Sequence, residues 1–430
     1  MFNKAVAKGM KWTTYSSIVT TICSLISISI LTRFVEKGDF GLIAIVVFSL
    51  SFFDLFNDMG ISVAILHKQD MIQKEYSSLY WFNLLISFVL YAVVILVTPL
   101  ISDFYNFPKL NYLIPLVGLS LLMNGIGKQF KIILEKDLFF KSISVIEIST
   151  AIVALITSSI CAIKGMGVYA LVINSLTSAF LGNILFLLIG IHLKHRITLF
   201  CRFYYIKPFL RIGLYQMGGQ IANYFNRDFD ILIIGKAFGP EVLGIYSLSK
   251  QLVNRPFQIL NPIIIKVASP MLAKLQKSSV DLKTNYLNII NLIGGLNMIV
   301  YSILFITAPI VIKILYGNNF GEANWIVRIL CFYMVLRSMG NAVGSLTIAT
   351  GKTYLEFYWN VVLLIVIPFG IYLGSLGNIY TICIALVIIT ILTYYPFWKF
   401  LINKMIDVSF SEYLKACFVP KFTSIVKTLR

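Results

Sequence analysis

Long apolar runs, separated by short polar breaks, dominate the chain. A hydrocarbon layer about 30 Å thick needs roughly 20 helical residues to cross it. Runs of about that length recur along the whole sequence, and they predict twelve membrane-spanning helices at residues 12–33, 41–66, 78–102, 110–130, 143–163, 167–191, 210–235, 244–272, 286–312, 324–349, 354–374 and 378–402. The runs are continuous rather than alternating between apolar and polar residues, which argues against a transmembrane β-barrel.

The composition agrees with this membrane interpretation. Of the 430 residues, 58% are hydrophobic and only 13% are charged. The mean hydropathy of +0.86 is far above the value that a water-soluble core requires. The longest polar breaks, at 192–208 and after Lys404, are too short to bury a core of their own. We therefore expect an all-α integral membrane protein whose function is performed by its helices.

The distribution of basic residues predicts the orientation in the membrane. Lysine and arginine next to membrane spans are retained on the cytoplasmic side. One set of alternate loops, together with the two termini, contains 24 of the 36 basic residues, and the other set contains 6. We therefore predict that both termini are cytoplasmic. Basic loops facing anionic lipid explain the formal net charge of +18, so a nucleic-acid partner is not expected.

Two short similarities indicate an internal repeat. Gly41, which follows the first span, corresponds to Gly244 after the seventh, at an offset of about 203 residues. Pro99 in the third span corresponds to Pro309 in the ninth, within similar sequences at an offset near 211. Six helices that occur twice in the same orientation predict two lobes related by an axis along the membrane normal. The predicted regions are an N-terminal six-helix lobe (1–205), a C-terminal six-helix lobe (206–402) and a basic cytoplasmic tail (403–430).

Polar and charged side chains recur on one face of several predicted spans. On the seventh span they follow one another at steps of three or four residues, the spacing of one helical face: Gln220, Asn223, Arg227 and Asp230, with Asp228 beside them. The other candidates are Asp54 and Asp58 on the second span, Lys250, Asn254 and Arg255 on the eighth, and Arg337 on the tenth. A charge at the bilayer centre costs about 2.5–3.5 kcal/mol, so these residues are expected to lie against one another or around water. Two interpretations stay open, a water-filled cavity and ion pairs that only hold helices together.

Four segments resemble a known family. They are NRDFDILIIGKAFGPEVLGIYSLSKQLVNRPFQILNPI (226–263), SPMLAKLQ (269–276), FGLIAIVVFSLSFFDLFNDMGISVAIL (40–66) and LYGNNFGEA (315–323). Together they are similar to the polysaccharide flippases, the Wzx-type transporters of the multidrug/oligosaccharidyl-lipid/polysaccharide exporter superfamily. The resemblance covers nearly the whole chain. It implies two six-helix lobes that open alternately, in a bacterial inner membrane.

The resemblance also implies a substrate. Such transporters carry an oligosaccharide repeat unit, linked by pyrophosphate to a polyprenyl lipid, from the cytoplasmic to the outer leaflet for the synthesis of O-antigen, capsule or exopolysaccharide. Polysaccharide polymerase and chain-length proteins are the implied protein partners. A pyrophosphate is anionic, and guanidinium groups suit phosphate oxygens. The predicted substrate-binding residues are therefore Arg227, Lys250, Arg255, Arg337, Asn223, Asn254 and Gln220.

Acidic residues in the spans suggest how transport is driven. A proton or sodium gradient is the expected energy source, and the coupling candidates are Asp54, Asp58, Asp228 and Asp230. The TGKT sequence at 350–353 lacks the upstream glycine of a nucleotide-binding loop, so ATP is not the expected fuel.

Two other functions were weighed against a flippase. A cation-coupled drug exporter of the same superfamily would have the same helix count, but its cavity is expected to be poorer in arginine. A membrane glycan polymerase would need a catalytic constellation, and the three histidines lie on the predicted cytoplasmic rim, at His67, His192 and His195. The six cysteines have no metal-ligand spacing. We therefore expect no enzyme activity, no metal and no cofactor.

Overall fold

Helices account for nearly all of the computed structural model, which describes residues 2–58, 62, 65–66, 68, 70–193 and 197–420. The helices are α1 (Phe2–Phe34), α2 (Lys37–Asp58), α3 (Gln73–Tyr105), α4 (Leu110–Lys136), α5 (Phe140–Ile163), α6 (Val168–His192), α7 (Phe203–Lys274), α8 (Ser279–Tyr316), α9 (Ala323–Met339), α10 (Val343–Thr350), α11 (Thr353–Ser375), α12 (Ile379–Phe397), α13 (Asn403–Met405) and α14 (Phe410–Phe418). The described residues form no β-strand. The predicted all-α membrane class is confirmed.

Eleven helical segments in the described part of the chain are long and apolar enough to cross a membrane. One of them, Met217–Lys274, has 58 residues. At 1.5 Å per residue, such a helix is far longer than the thickness of a bilayer. It contains most of the predicted seventh span, 210–235, and all of the eighth, 244–272. The count of twelve spans therefore stays a prediction.

The long helix α7 is interrupted at Gly239. This residue has φ 81° and ψ −179°, a backbone conformation that is essentially restricted to glycine. The predicted tenth span, 324–349, is also divided, because a short 3₁₀ turn at Gly340–Ala342 separates α9 from α10.

The chain forms two compact units, which we call unit 1 and unit 2. Unit 1 comprises Met1–Tyr224, Gly239–Gly244 and Leu315–Gly317, and unit 2 comprises Phe225–Phe238, Ile245–Ile314 and Asn318–Arg430. The predicted lobes 1–205 and 206–402 stay a proposal.

Small residues set the helix packing in unit 1, where α4 packs between α3 and α6. A Cβ atom at Gly190 of α6 would overlap the ring of Phe130 on α4. A Cβ atom at Gly127 would lie 2.5 Å from the Cβ atom of Asn183. Because lipid gives helices no hydrophobic drive to associate, such close backbone approach is a main source of packing energy in membranes.

A reciprocal glycine contact in unit 1 joins the start of α2 to Gly239–Gly244. A Cβ atom at Gly41 would overlap the carbonyl oxygen of Pro240, and a Cβ atom at Gly244 would overlap that of Lys37. An offset of 203 residues relates Gly41 to Gly244, and the same offset relates Lys37 to Pro240. The two contacts are therefore reciprocal between positions that the predicted repeat treats as equivalent.

The core of unit 2 includes part of the predicted tail. Tyr413 and Cys417 of α14 are buried in a cluster with Tyr286 and Ile290 of α8. The side-chain amide of Asn291 donates hydrogen bonds to the last turn of α14. The segment before 420 is thus packed against the helices, and residues 421–430 lie outside the described residues.

Candidate functional site

Four charged side chains of unit 2 meet across the two limbs of α7. Arg227, Asp228 and Asp230 lie on the first limb, and Lys250 lies on the second, with Gly239 midway between them. The break at Gly239 allows the two limbs to fold back against each other, so that residues 20 and 22 positions apart make ion pairs.

The ammonium group of Lys250 is surrounded by oxygen atoms. It donates to Asp230 Oδ1 at 2.7 Å, to Asp228 Oδ1 at 3.1 Å and to the backbone carbonyl of Arg227 at 2.7 Å. Since an ammonium group has three N–H donors, these three partners saturate it. Lys250 therefore forms ion pairs that hold the two limbs of α7 together, which is one of the two interpretations left open by the sequence.

The carboxylate of Asp230 is the most buried charge of this cluster. The residue is only 4% exposed, and it accepts hydrogen bonds from the hydroxyl of Tyr246 and from the backbone N–H of Ile231, the latter at 2.9 Å. Removing one partner from a buried ion pair typically costs about 3–5 kcal/mol, because it leaves a desolvated charge behind. The cluster therefore fixes the geometry of the two limbs.

Arg227 is held differently from Lys250. Its Nε and Nη2 atoms donate to the same oxygen of Asp228, at 2.8 and 2.7 Å. Its side chain nevertheless stays 56% exposed. Because a guanidinium group has five N–H donors, Arg227 retains donors for a ligand.

A small pocket of unit 2 opens beside this cluster. Its polar wall includes Asn226, Arg227, Asp230, Lys250, Asn254 and Arg337, and its apolar wall includes Leu330, Met334, Ile367 and Ile371. The guanidinium carbon of Arg337 lies 5.8 Å from the ring centre of Tyr333 and 5.9 Å from that of Phe257. Aromatic faces of this kind attract a cation without neutralising its charge. The three cations and two aspartates together leave an excess of one positive charge.

The remaining predicted substrate-binding residues are not all gathered here. Asn254 lines the pocket, whereas Arg255 is half-buried beside it and is not among the lining residues. Gln220 and Asn223 are exposed residues of unit 1. Their roles in binding stay predictions.

The two aspartates predicted on the second span lie in α2. Asp54 accepts a hydrogen bond from the amide of Asn124 at 3.2 Å and lies 4.0 Å from the ammonium nitrogen of Lys128. The side chain of Asp58 lies outside the described residues.

Tyr246 and Tyr333 were missed by the sequence reasoning. Each tyrosine lies four residues before a cation of the pocket, Lys250 or Arg337, and so occupies the same helical face. This spacing is the signal that could have identified them. Within the described residues, no group of three or more His, Cys, Asp or Glu side chains could hold a metal ion.

The fold is similar to those of solved transporters. A structure of the lipid II flippase MurJ in an inward closed conformation superimposes with a TM-score of 0.72, at 13% identity, covering 98% of this chain and 92% of that chain. A multidrug resistance MATE family transporter of the MOP superfamily, in an inward-facing conformation, gives a TM-score of 0.63 at 14% identity, covering 91% and 100%. The fold is therefore similar to the folds of these two transporters.

Sequence comparison identifies the family. A family model described as "Polysaccharide biosynthesis protein" matches residues 30–324. The chain therefore belongs to the polysaccharide biosynthesis protein family.

Individual relatives match most of the chain. The lipopolysaccharide biosynthesis protein WzxC of Escherichia coli (strain K12) is 26% identical, over 97% of this chain and 85% of that protein. The teichuronic acid biosynthesis protein TuaB of Bacillus subtilis (strain 168) is 25% identical, over 97% and 86%. The amylovoran biosynthesis protein AmsL of Erwinia amylovora is 30% identical, over 70% and 78%. The resemblance found in the sequence is confirmed at the level of the family.

Proposed function

We propose that this protein is a flippase for a lipid-linked oligosaccharide. It moves a repeat unit, attached through pyrophosphate to a polyprenyl lipid, from the cytoplasmic to the outer leaflet by alternating access, for the synthesis of a surface polysaccharide. The names of the relatives support a role in polysaccharide biosynthesis, and the similarity to the MurJ structure supports a transporter fold.

The observation that carries the proposal is the excess positive charge of the pocket in unit 2. Charged side chains within membrane spans are costly and usually mark a transport path. Arg337 faces the pocket with aromatic neighbours, and Arg227 keeps free donors beside it. Planar guanidinium forks match the paired oxygens of a phosphate group. In this proposal the pyrophosphate binds to these two arginines.

Lys250 has a supporting role in this proposal. Because its three donors are already used by Asp228, Asp230 and the carbonyl of Arg227, it can reach a phosphate only if the cluster opens. It stays a candidate for substrate binding in the opened state.

Gradient-driven coupling is part of the proposal. Asp54, Asp58, Asp228 and Asp230 remain the candidates for binding a proton or sodium ion. At Asp228 and Asp230 an arriving ion has to compete with the ammonium group of Lys250, which already occupies the position of a cation.

The second candidate function is the export of a small molecule. It is supported by the MATE transporter with a similar fold. The apolar wall of the pocket, with Leu330 and Met334, would suit such a substrate. Carboxylates left free to attract a cationic drug are expected in that case, whereas here both aspartates of the cluster are paired.

A reconstituted transport assay tests the proposal. The purified protein is placed in vesicles with the lipid-linked oligosaccharide that accumulates in cells lacking it, and appearance of the glycan on the far leaflet is measured. Arg337→Ala should abolish transport, while Arg337→Lys should retain part of it because the positive charge remains.

A matched control comes from the same helix. Arg328 also lies over aromatic rings, those of Trp325 and Phe305, but it is half-buried and does not line the pocket. Arg328→Ala should transport normally. Equal rates for Arg337→Ala and the unaltered protein would refute the proposal, and inhibition by cationic drugs but not by lipid-linked glycan would favour the exporter.

A further inference from the structure

A row of polar side chains follows one face of α4 in unit 1. Asn124, Lys128 and Lys131 are spaced by four and three residues, so they lie on the same side of the helix. Asn124 is near the middle of α4, which runs from Leu110 to Lys136. At 1.5 Å per residue, the row extends for about 10 Å from the helix centre toward its predicted cytoplasmic end.

Two neighbouring helices supply partners at the first end of the row. The amide of Asn183 on α6 donates to Asn124 Oδ1 at 3.1 Å, and the amide of Asn124 donates to Asp54 Oδ1 at 3.2 Å. Asn183 cannot move toward α4, because its Cα and Cβ atoms pack directly on Gly127. These contacts give two amides and a carboxylate a fixed arrangement.

Glu147 on α5 completes the other end. It accepts hydrogen bonds from Lys131 at 2.9 Å and from the hydroxyl of Ser16 on α1 at 2.8 Å. The side chains of Lys131 and Glu147 are each about one-third exposed, at 36% and 35%. A carboxylate has about four acceptor positions, so Glu147 can accept further hydrogen bonds from a ligand.

The charge balance of the row differs from that of the pocket in unit 2. Two lysines, Lys128 and Lys131, face two carboxylates, Asp54 and Glu147, so the row has no net charge. A neutral row does not attract an anion. It does offer donors and acceptors at fixed positions, which is the chemistry that hydroxyl groups require, since each hydroxyl donates one hydrogen bond and accepts others.

We propose that this row binds the hydroxyl groups of the sugars in the transported repeat unit. The inference rests on the proposed flippase function and deepens it: the cationic pocket of unit 2 binds the pyrophosphate, and the polar row of unit 1 recognises the glycan. Glu147 and Asn183 are the residues that position hydroxyls at its two ends. The row extends toward the side from which the lipid-linked glycan is loaded.

Binding of two lipids to the full-length protein separates the contributions. The first is the lipid-linked oligosaccharide that accumulates in cells lacking the protein, and the second is polyprenyl pyrophosphate without sugar. Asn183→Ala and Glu147→Gln should each weaken binding of the first lipid about threefold to tenfold, as expected for the loss of one or two hydrogen bonds. Neither change should alter the affinity for the second lipid.

A matched control lies on the same helix as Asn183. Asn174 donates to Ser27 at 2.8 Å and to Ser158 at 3.0 Å, away from the row. Asn174→Ala should bind both lipids as the unaltered protein does. If Asn183→Ala and Glu147→Gln weaken the binding of both lipids equally, or of neither lipid, the row is structural and the inference is wrong.

The same experiment distinguishes other failures. If Glu147→Gln changes the pH dependence of transport without changing the preference for the glycosylated lipid, the row couples protons rather than binding sugar, and the inference is wrong. If the unaltered protein binds neither lipid, the proposed flippase function itself fails.

Discussion

The reciprocal glycine contact in unit 1 makes a sharp prediction about stability. In Gly41→Ala, the new Cβ atom would overlap the carbonyl oxygen of Pro240 and lie 2.7 Å from its carbonyl carbon and 2.9 Å from its Cα atom. Ordinary contacts of this kind lie at 3.4–4 Å. Both groups are backbone, so no side chain can rotate away, and the segments must separate by about 1 Å in a tightly packed interior.

The magnitude follows from overpacking energies. Forcing an extra methyl group into a packed site costs about 1–3 kcal/mol. Replacing glycine by alanine within a helix returns up to about 1 kcal/mol, which offsets only part of this cost. The net cost is then up to about 3 kcal/mol, so we expect Gly41→Ala to lower the melting temperature by up to about 12 °C, using the usual sensitivity of about 2–4 °C per kcal/mol for units of this size.

The control is one helical turn away. A Cβ atom at Gly38 would find its nearest neighbour, Pro240 Cγ, at 3.9 Å, which is an ordinary contact. Gly38→Ala should therefore leave the melting temperature unchanged or raise it slightly. Melting is measured for the detergent-solubilised protein by loss of the monodisperse peak after heating.

The repeat gives a second variant for the same contact. Gly244→Ala would place its Cβ atom 3.0 Å from the carbonyl carbon of Lys37 and overlapping the oxygen. Gly244→Ala should lower the melting temperature as much as Gly41→Ala does. In the double variant the decrease should be smaller than the sum of the two single decreases, because the segments separate only once. Melting temperatures for Gly41→Ala and Gly38→Ala that do not differ would refute the reasoning.

Two other variants test the contacts of unit 2. Lys250→Met should destabilise the protein by about 3–5 kcal/mol, because it leaves the buried carboxylate of Asp230 without its cation. Adding Asp230→Asn should recover much of this lost stability in the same melting assay. Asn291→Ala removes two hydrogen bonds, of 2.9 and 2.7 Å, to carbonyls at the end of α14. In the packed helix, burial raises the pKa of the Cys417 thiol to about 12. Release of α14 should therefore speed maleimide labelling of Cys417 about 5- to 100-fold, as measured by peptide mass spectrometry. Asn285→Ala, on the same helix but bonded only to its own preceding turn, should label like the unaltered protein, and unchanged labelling of Asn291→Ala would show that these bonds do not hold α14.

The hydrophobic pattern was sufficient to predict the class of fold. A continuous apolar run long enough to cross a bilayer must satisfy its backbone hydrogen bonds within the segment, and a helix does this. The all-α class therefore follows from the lengths of the runs. The break within Met217–Lys274 was also visible, because Gly239 and Pro240 follow an apolar run. The packing of α14 was not predicted, since nine residues contain too little periodicity to show that Tyr413 and Cys417 are buried.

The site was predicted in part, and the reason lies in the distance between residues along the chain. A helical face could be read from the spacing of Arg227 and Asp230. The partner of Asp230 could not be read from the sequence, because its pairing with Lys250 depends on how the limbs of α7 fold back at Gly239. Glu147 was overlooked because a single glutamate in an apolar span has no pattern around it.

The arrangement of charges around Lys250 sets the sign of any coupling through the aspartates of unit 2. A proton that binds to Asp230 removes one negative charge, so the excess positive charge of the pocket rises from one to two and an anionic cargo binds more tightly. By reciprocity, the bound anion then favours proton binding by the same factor. Coupling through Asp230 would therefore bring proton and cargo onto the protein together. An exchange of proton for cargo needs a carboxylate whose protonation weakens binding. In the glycan site proposed for unit 1, Glu147 is the candidate for this role, because it accepts hydrogen bonds from Lys131 and Ser16. If the affinity for the lipid-linked oligosaccharide decreases as the pH falls, and this decrease is absent in Glu147→Gln, the coupling step lies in unit 1 and not in unit 2.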